Sequence, residues 1–153
     1  MMDIYDAKTI DPHTSIGPLL NRVRGALAAA VDEALLADKD VARCELTFAQ
    51  FVILGTLHNG DTQCAGEMCK LLTYDRGAMS RMLDRLERKG MIRRVRRAGE
   101  RRMIALEITE EGEAVFPKVK LIVVGVLNRF LRGIAKSEVR QVEGVLRRML
   151  ANE

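Results

Sequence analysis

Between Arg76 and Arg102 the chain carries eleven basic residues and three acids (Asp84, Glu87 and Glu100), a local net of +8 that leaves −4 for the rest of a +4 protein. Guanidinium and ammonium groups at that density bind phosphates and release the counterions held on a polyanion, so the segment has the charge of a nucleic-acid-binding face. A solvated charged surface would carry as many charges, and the elements that hold these residues have to distinguish the two. Other chemistry is thinly represented. His13 and His58 are the only histidines, and the chain has no Gly-rich phosphate loop, nucleophile elbow or H-E-x-x-H pattern, which argues against an enzyme and supplies no catalytic residue. Cys44, Cys64 and Cys69 form an odd set without a C-x-x-C pair. Neither a disulfide framework nor a metal site is therefore expected, and no cofactor is implied.

The elements that position the basic residues follow from apolar spacing. Across 153 residues, 48% hydrophobic and without Trp, the core must rest on aliphatic side chains and Met. Ile16, Leu19, Leu20, Val23, Leu27, Val31 and Leu35 recur at helical spacing and predict a helix over about 16–37, with an arm before it. Thr47 and Gln50 have the spacing of a capping box, and Leu46 can staple onto Phe51, so a second helix starts there and stops at Asn59-Gly60. A short helix follows over about 65–72, with Cys64 in the place of a capping Ser or Thr. Next comes a helix over about 75–89, with Met79, Met82, Leu83 and Leu86 on one side. Its other side is Arg76, Gly77, Ser80, Arg81, Asp84, Arg85 and Arg88, and an Arg88–Asp84 pair is expected within reach. Period-two alternation at Ile104, Leu106 and Ile108 predicts a strand paired with 91–95, and Gly99 permits the turn between them. A hairpin so rich in arginine would repel itself in isolation, which again points to a polyanionic partner. Thr109 caps a long helix with a bend expected at Pro117, and Ser137 opens a last one.

Short helix, turn, basic amphipathic helix and basic hairpin, in that order, make a winged helix-turn-helix. Its second helix fits the major groove of double-stranded DNA, and the hairpin beside it reaches the neighbouring minor groove. From Gln63 to Gly112 the sequence resembles the MarR family of bacterial regulators. The likeness rests on Glu67-Met68-Cys69, on Asp84-Arg85-Leu86-Glu87-Arg88-Lys89-Gly90-Met91-Ile92, and on Glu100-Arg101-Arg102 leading to Ile108-Thr109-Glu110-Glu111-Gly112. In the family's wing pattern, acid-x-Arg-x5-Leu-Thr, Glu100 stands for the usual Asp and Ile108 for the usual Leu. The resemblance implies that Arg102 enters a narrow A·T-rich minor groove, held by Glu100, while Arg101 or Arg97 meets phosphate. On the recognition helix Asp75, Arg76, Gly77, Ser80, Arg81 and Arg85 are the base and phosphate candidates, with Arg76 or Arg81 able to grip guanine bidentately.

The expected fold is mainly α with a small β-hairpin, divided into an arm and dimerisation helix (1–45), a DNA-binding winged helix-turn-helix (46–110) and C-terminal dimerisation helices (111–153). The resemblance implies a homodimer on a pseudo-palindromic operator, and Leu121 to Leu127, apolar nearly all round its helix, agrees with that. It also implies a repressor that a small aromatic or phenolic ligand releases, for which Arg22, Arg24 and His58 are the candidate lining. The other readings are redox control through Cys44 and Cys64 of different subunits, or a winged helix that binds nucleic acid without sequence preference. The longest apolar run is far short of the ~20 residues that cross a bilayer, and the acidic start Met1 to Asp6 is unlike a secretory signal. A cytoplasmic protein without a membrane partner is expected.

Overall fold

The computed structural model describes residues 3–99 and 103–153. Among them six helices and one antiparallel hairpin follow in the order α1 (Ile16–Ala37), α2 (Phe48–Asn59), α3 (Ala65–Leu72), α4 (Arg76–Arg88), β1 (Ile92–Arg96), β2 (Ile104–Ile108), α5 (Glu110–Phe130) and α6 (Lys136–Ala151). A 3-10 turn at Ala42–Cys44 leads into α2. The mainly helical fold with a small hairpin is the one the apolar spacing predicts.

Local chemistry sets most boundaries. Thr47 and Gln50 form the reciprocal capping box, each backbone N–H donating to the other's side-chain oxygen at 3.3 Å. The Asp75 carboxylate accepts from the Ala78 N–H at 2.8 Å and caps α4. Cys64 makes no side-chain cap. Thr62 substitutes for it: its hydroxyl accepts from the Cys64 N–H at 3.1 Å and donates to the Glu67 carboxylate. The last helix begins at Lys136 rather than at Ser137, because the Glu138 carboxylate reaches back to the Ala135 N–H at 2.8 Å and makes Ala135 the capping position. Helix α5 runs on through Pro117.

The core is one connected cluster. Val31 and Leu35 of α1 join Val119, Val123 and Val126 of α5; Ile53, Leu54 and Leu57 of α2 add to it; Met68, Met79, Leu83, Leu86, Ile92 and Leu106 close the motif side. The apolar stripe of α1 divides in two. Its C-terminal half is buried, whereas Leu19, Leu20 and Val23 are exposed, the last to 52%. In α5 Leu121 is 73% exposed, and α6 buries no residue, leaving Val142 at 55% and Leu150 at 67%.

β1 and β2 pair in the register Ile92↔Ile108, Arg94↔Leu106, Arg96↔Ile104. Alternation is imperfect: Ile104 is exposed and Ala105 buried. The Leu106 N–H donates to the Gln63 carbonyl at 2.8 Å, so the segment before α3 lies along this edge of the hairpin, while Ile104, paired with Arg96, sits at its turn end.

Motif and long helix meet at a tight joint. The Thr109 hydroxyl donates to the Gly90 carbonyl at 2.6 Å and accepts from the Gly112 N–H at 3.1 Å. The Thr109 N–H donates to the Met91 carbonyl at 3.0 Å. Gly112 permits the approach: a Cβ there would lie 2.3 Å from the Met91 carbonyl oxygen and 2.7 Å from Ile108 Cγ1. The first of these is backbone, which cannot swing aside. Gly112→Ala is therefore expected to lower stability in urea titration by ~1–3 kcal/mol, and Thr109→Ala by about 1 kcal/mol. An unchanged midpoint for Gly112→Ala would mean that the joint is slack.

Candidate nucleic-acid interface

Helix α4 buries Met79, Leu83 and Leu86 and turns Arg76, Gly77, Ser80, Arg81, Asp84, Arg85 and Arg88 outward. The amphipathic division predicted from spacing holds, with Met82 partly buried, because the other three apolar side chains pack into the core that α3 and the hairpin share.

What the spacing does not reveal is how the acids of this helix are disposed. Asp84 does not pair with Arg88, whose Nε reaches only the Asp84 backbone carbonyl at 3.4 Å. Asp84 pairs instead with Arg94 of β1 (Nη2 to Oδ1, 2.7 Å), and the other end of the same guanidinium grips Glu87. The Arg94 N–H also donates to Glu87 at 3.3 Å. Arg94 shares a strand face with Ile92 and Leu106, both buried, so its charge is half-withdrawn from water and must find partners. Burial alone would make that charge easier to lose; the hydrogen bonds to Asp84 and Glu87 outweigh it and hold the guanidinium above its ordinary range. A charged residue in phase with buried neighbours on a strand is the signal that could have found this clamp.

Two more cations are engaged within the fold. Arg93 donates from two nitrogens to Glu107 across the hairpin, at 2.9 and 3.0 Å. Lys89 donates to the Glu45 carbonyl at 2.6 Å and to Gln50 Oε1 at 3.2 Å, and burial of its ammonium, partly offset by Glu45, keeps it below the usual lysine range. The hairpin is therefore less self-repelling than its composition suggests. Among the described residues, Arg76, Arg81, Arg85, Arg88 and Arg96 make no ion pair and are exposed. Asp75 lies at the rim, its carboxylate committed to the cap. Arg97 donates to Gln63 Oε1, a partner that local pattern does not mark. Glu100, Arg101 and Arg102 lie outside the described residues.

The residues expected to line a ligand pocket are disposed separately. His58 Nδ1 is 2.7 Å from Glu113 Oε2, and its ring lies 4.5 Å from that of Phe116, which stacks in turn on Phe51 at 5.3 Å. Arg22 and Arg24 are exposed on α1, where Arg24 hydrogen-bonds Asn21 of its own helix at 3.1 Å. A cavity of about 310 Å³ opens instead between α3 and α4, lined by Ala65, Cys69, Met79 and Leu83, with Arg76 and Arg94 beside them. Cys44, Cys64 and Cys69 are free thiols, all half-buried. Among the described residues, no group of His, Cys, Asp and Glu has the arrangement of a metal site, and no helix is long and apolar enough to cross a membrane.

Residues 46–104, from the start of α2 to the first residue of β2, match the model of the MarR family. The chain is 28% identical to the multiple antibiotic resistance protein MarR of Escherichia coli (strain K12) over 116 residues, 75% of this chain and 81% of that protein. A cysteine-to-serine variant of Escherichia coli MarR, solved in complex with operator DNA, matches with a TM-score of 0.76 at 25% identity, covering 92% of this chain and 99% of that one. A MarR-family transcriptional regulator from Rhodococcus sp. RHA1 matches with a TM-score of 0.78 at 23% identity, over 92% and 96% of the two chains. The helix order, the hairpin and the basic face of α4 fall on the same segment, so over residues 46–104 the chain is similar to the MarR family.

Proposed function

We propose that this protein is a homodimeric transcriptional regulator that reads double-stranded DNA, with α4 in the major groove and the β1–β2 hairpin reaching the adjacent minor groove. One observation carries the reading. The acids of α4 and its cap each have a partner within the fold, Asp75 in capping and Asp84 and Glu87 in the Arg94 clamp, while Arg76, Arg81, Arg85 and Arg88 stay exposed without an ion pair. A merely solvated face has no cause to sort its charges so; a face for phosphates does. A relative of like fold is solved with operator DNA, which supports the same use here.

In this reading residues 46–110 form the DNA-reading unit. Arg76, Arg81 and Arg85 supply base and phosphate contacts, with Gly77 among them and Ser80 as a polar contact, while the wing adds Arg97 together with Glu100, Arg101 and Arg102. Segments 1–45 and 111–153 supply the dimer contact. The support for it is the apolar side chains left bare on each of α1, α5 and α6, including Leu20, Val23, Leu121, Val142 and Leu150. A soluble monomer seldom exposes so much apolar surface on neighbouring helices. Two copies would set their α4 helices about one DNA turn apart, ~34 Å, on a pseudo-palindromic operator. The protein would act in the cytoplasm as a repressor. The apolar cleft between α3 and α4 favours release by a small aromatic ligand, because an occupant there would press on Met79 and Ser80 of the reading helix.

Selection from random duplexes is expected to return one sequence with two related halves, and binding without preference would overturn the regulator reading. Arg81→Ala should change the preferred base at one position of each half, whereas Arg85→Ala should weaken all duplexes alike and reduce the salt slope by about one. Arg94→Gln unmasks two carboxylates on the reading helix, and titration against several duplexes should show a uniform several-fold loss of affinity with base preference intact. Sedimentation should give twice the 17.1 kDa chain mass, and Val142→Asp should reduce it toward one; a monomeric wild type would end the dimer proposal.

A further inference from the structure

Gly77, the second residue of α4, lies on the exposed face of the helix. Glycine is the poorest helix former but proline, so its presence in a helix calls for a reason. Two ordinary reasons are missing. Its backbone is not in the left-handed region, where Gly60, Gly90, Gly99 and Gly133 lie. Nor, among the described residues, does it admit a neighbouring element: beyond the helix's own backbone, a Cβ built there meets Asp75 Oδ1 at 3.2 Å and Arg81 Nη1 at 3.3 Å. Both are polar ends of residues on the reading face. Side chains on a helix lean toward its N-terminus, so a residue at i+4 lies over residue i. Arg81 accordingly folds back toward the bare backbone of Gly77, its Nη1 3.3 Å from the place a Cβ would take, while the Asp75 carboxylate, fixed by the Ala78 N–H, borders that place without pairing with Arg81.

The geometry points to Gly77 as a specificity-determining residue: its missing side chain is the slot in which Arg81 lies, so that one guanidinium is presented in a fixed pose at the N-terminal end of the recognition helix. This rests on the DNA-reading function proposed above. The N-terminal residues of a recognition helix are those that meet base edges, and a guanidinium held in advance reads guanine more selectively than one free to turn. A methyl group in the slot would be 3.3 Å from Arg81 Nη1, closer than carbon and nitrogen ordinarily sit, and the flexible arginine is what gives way. Better helix propensity and poorer base discrimination should then arrive together.

The test uses the full chain in four forms: wild type, Gly77→Ala, Arg81→Ala and the double variant. Each is melted and put through selection from random duplexes. Gly77→Ala is expected to melt about 2–4 °C higher and to lose roughly tenfold discrimination at the same base position that Arg81→Ala affects, with the double variant no worse than Arg81→Ala. Unchanged preference in Gly77→Ala, losses that add in the double variant, or a lower melting temperature would each overturn the assignment while leaving DNA reading intact. A wild type that selects no sequence would instead remove the function on which it rests.

Discussion

The charge of Arg94 organises the DNA-reading half of the molecule. Its place in β1 puts it in phase with Ile92 and Leu106, on the strand face that meets the core, and a guanidinium there has lost part of its water. The two acids within reach are Asp84 and Glu87, one helical turn apart on α4, and the guanidinium takes both. An exposed ion pair contributes ~0–1 kcal/mol, and removing one partner of a fully buried pair costs ~3–5 kcal/mol. A half-buried Arg94 bridging two partly exposed acids falls between. The clamp has two consequences. It sets the angle between recognition helix and hairpin, and it neutralises the carboxylates that would otherwise repel phosphate from the helix.

How much of this was legible in the sequence follows from how local each interaction is. Thr47 and Gln50 are three residues apart and form the capping box that their spacing predicts. Gly99 takes the positive φ that the turn needs, whereas Asp75, read from the sequence as a contact candidate, caps α4. The apolar side of α4 was equally plain, since helical period alone defines it. Asp84 was assigned to Arg88 because four residues along a helix is the separation at which a local rule applies. Its real partner is ten residues away in another element, and only the desolvation of a strand residue selects it. Ser137 was the natural cap by residue type, yet a Glu138 carboxylate turned back on Ala135 starts the helix earlier. The ligand-lining set, Arg22, Arg24 and His58, depended on tertiary neighbours that no local period encodes, and His58 instead joins Glu113 and Phe116.

The apolar stripes raise the same question at a larger scale. Period 3.6 marks which face of α1 is buried but not against what. The structure divides that face: Val31 and Leu35 belong to this chain's own core, while Leu19, Leu20 and Val23 lie bare, as does the apolar stripe of α6, which buries nothing. Helix α5 is divided in the same way, buried at Val119, Val123 and Val126 and bare at Leu121 and Val124. These two helices serve two cores, one complete within the chain and one that a second chain would complete.

That double service determines how the proposed dimer would control DNA binding. Helix α5 spans 21 residues, about 32 Å at 1.5 Å per residue, and it is tied to the base of the wing by Thr109 and Gly112. A contact so close that a methyl group does not fit leaves little play between helix and wing. Any change in how two chains pack through α1, α5 and α6 must therefore move the reading helices as rigid units. Grooves on one side of a duplex recur at ~34 Å, so a small rotation at the far end of a lever this long takes one α4 out of register. Neither motif need unfold for DNA to be released, because the spacing of two intact motifs is enough to decide it.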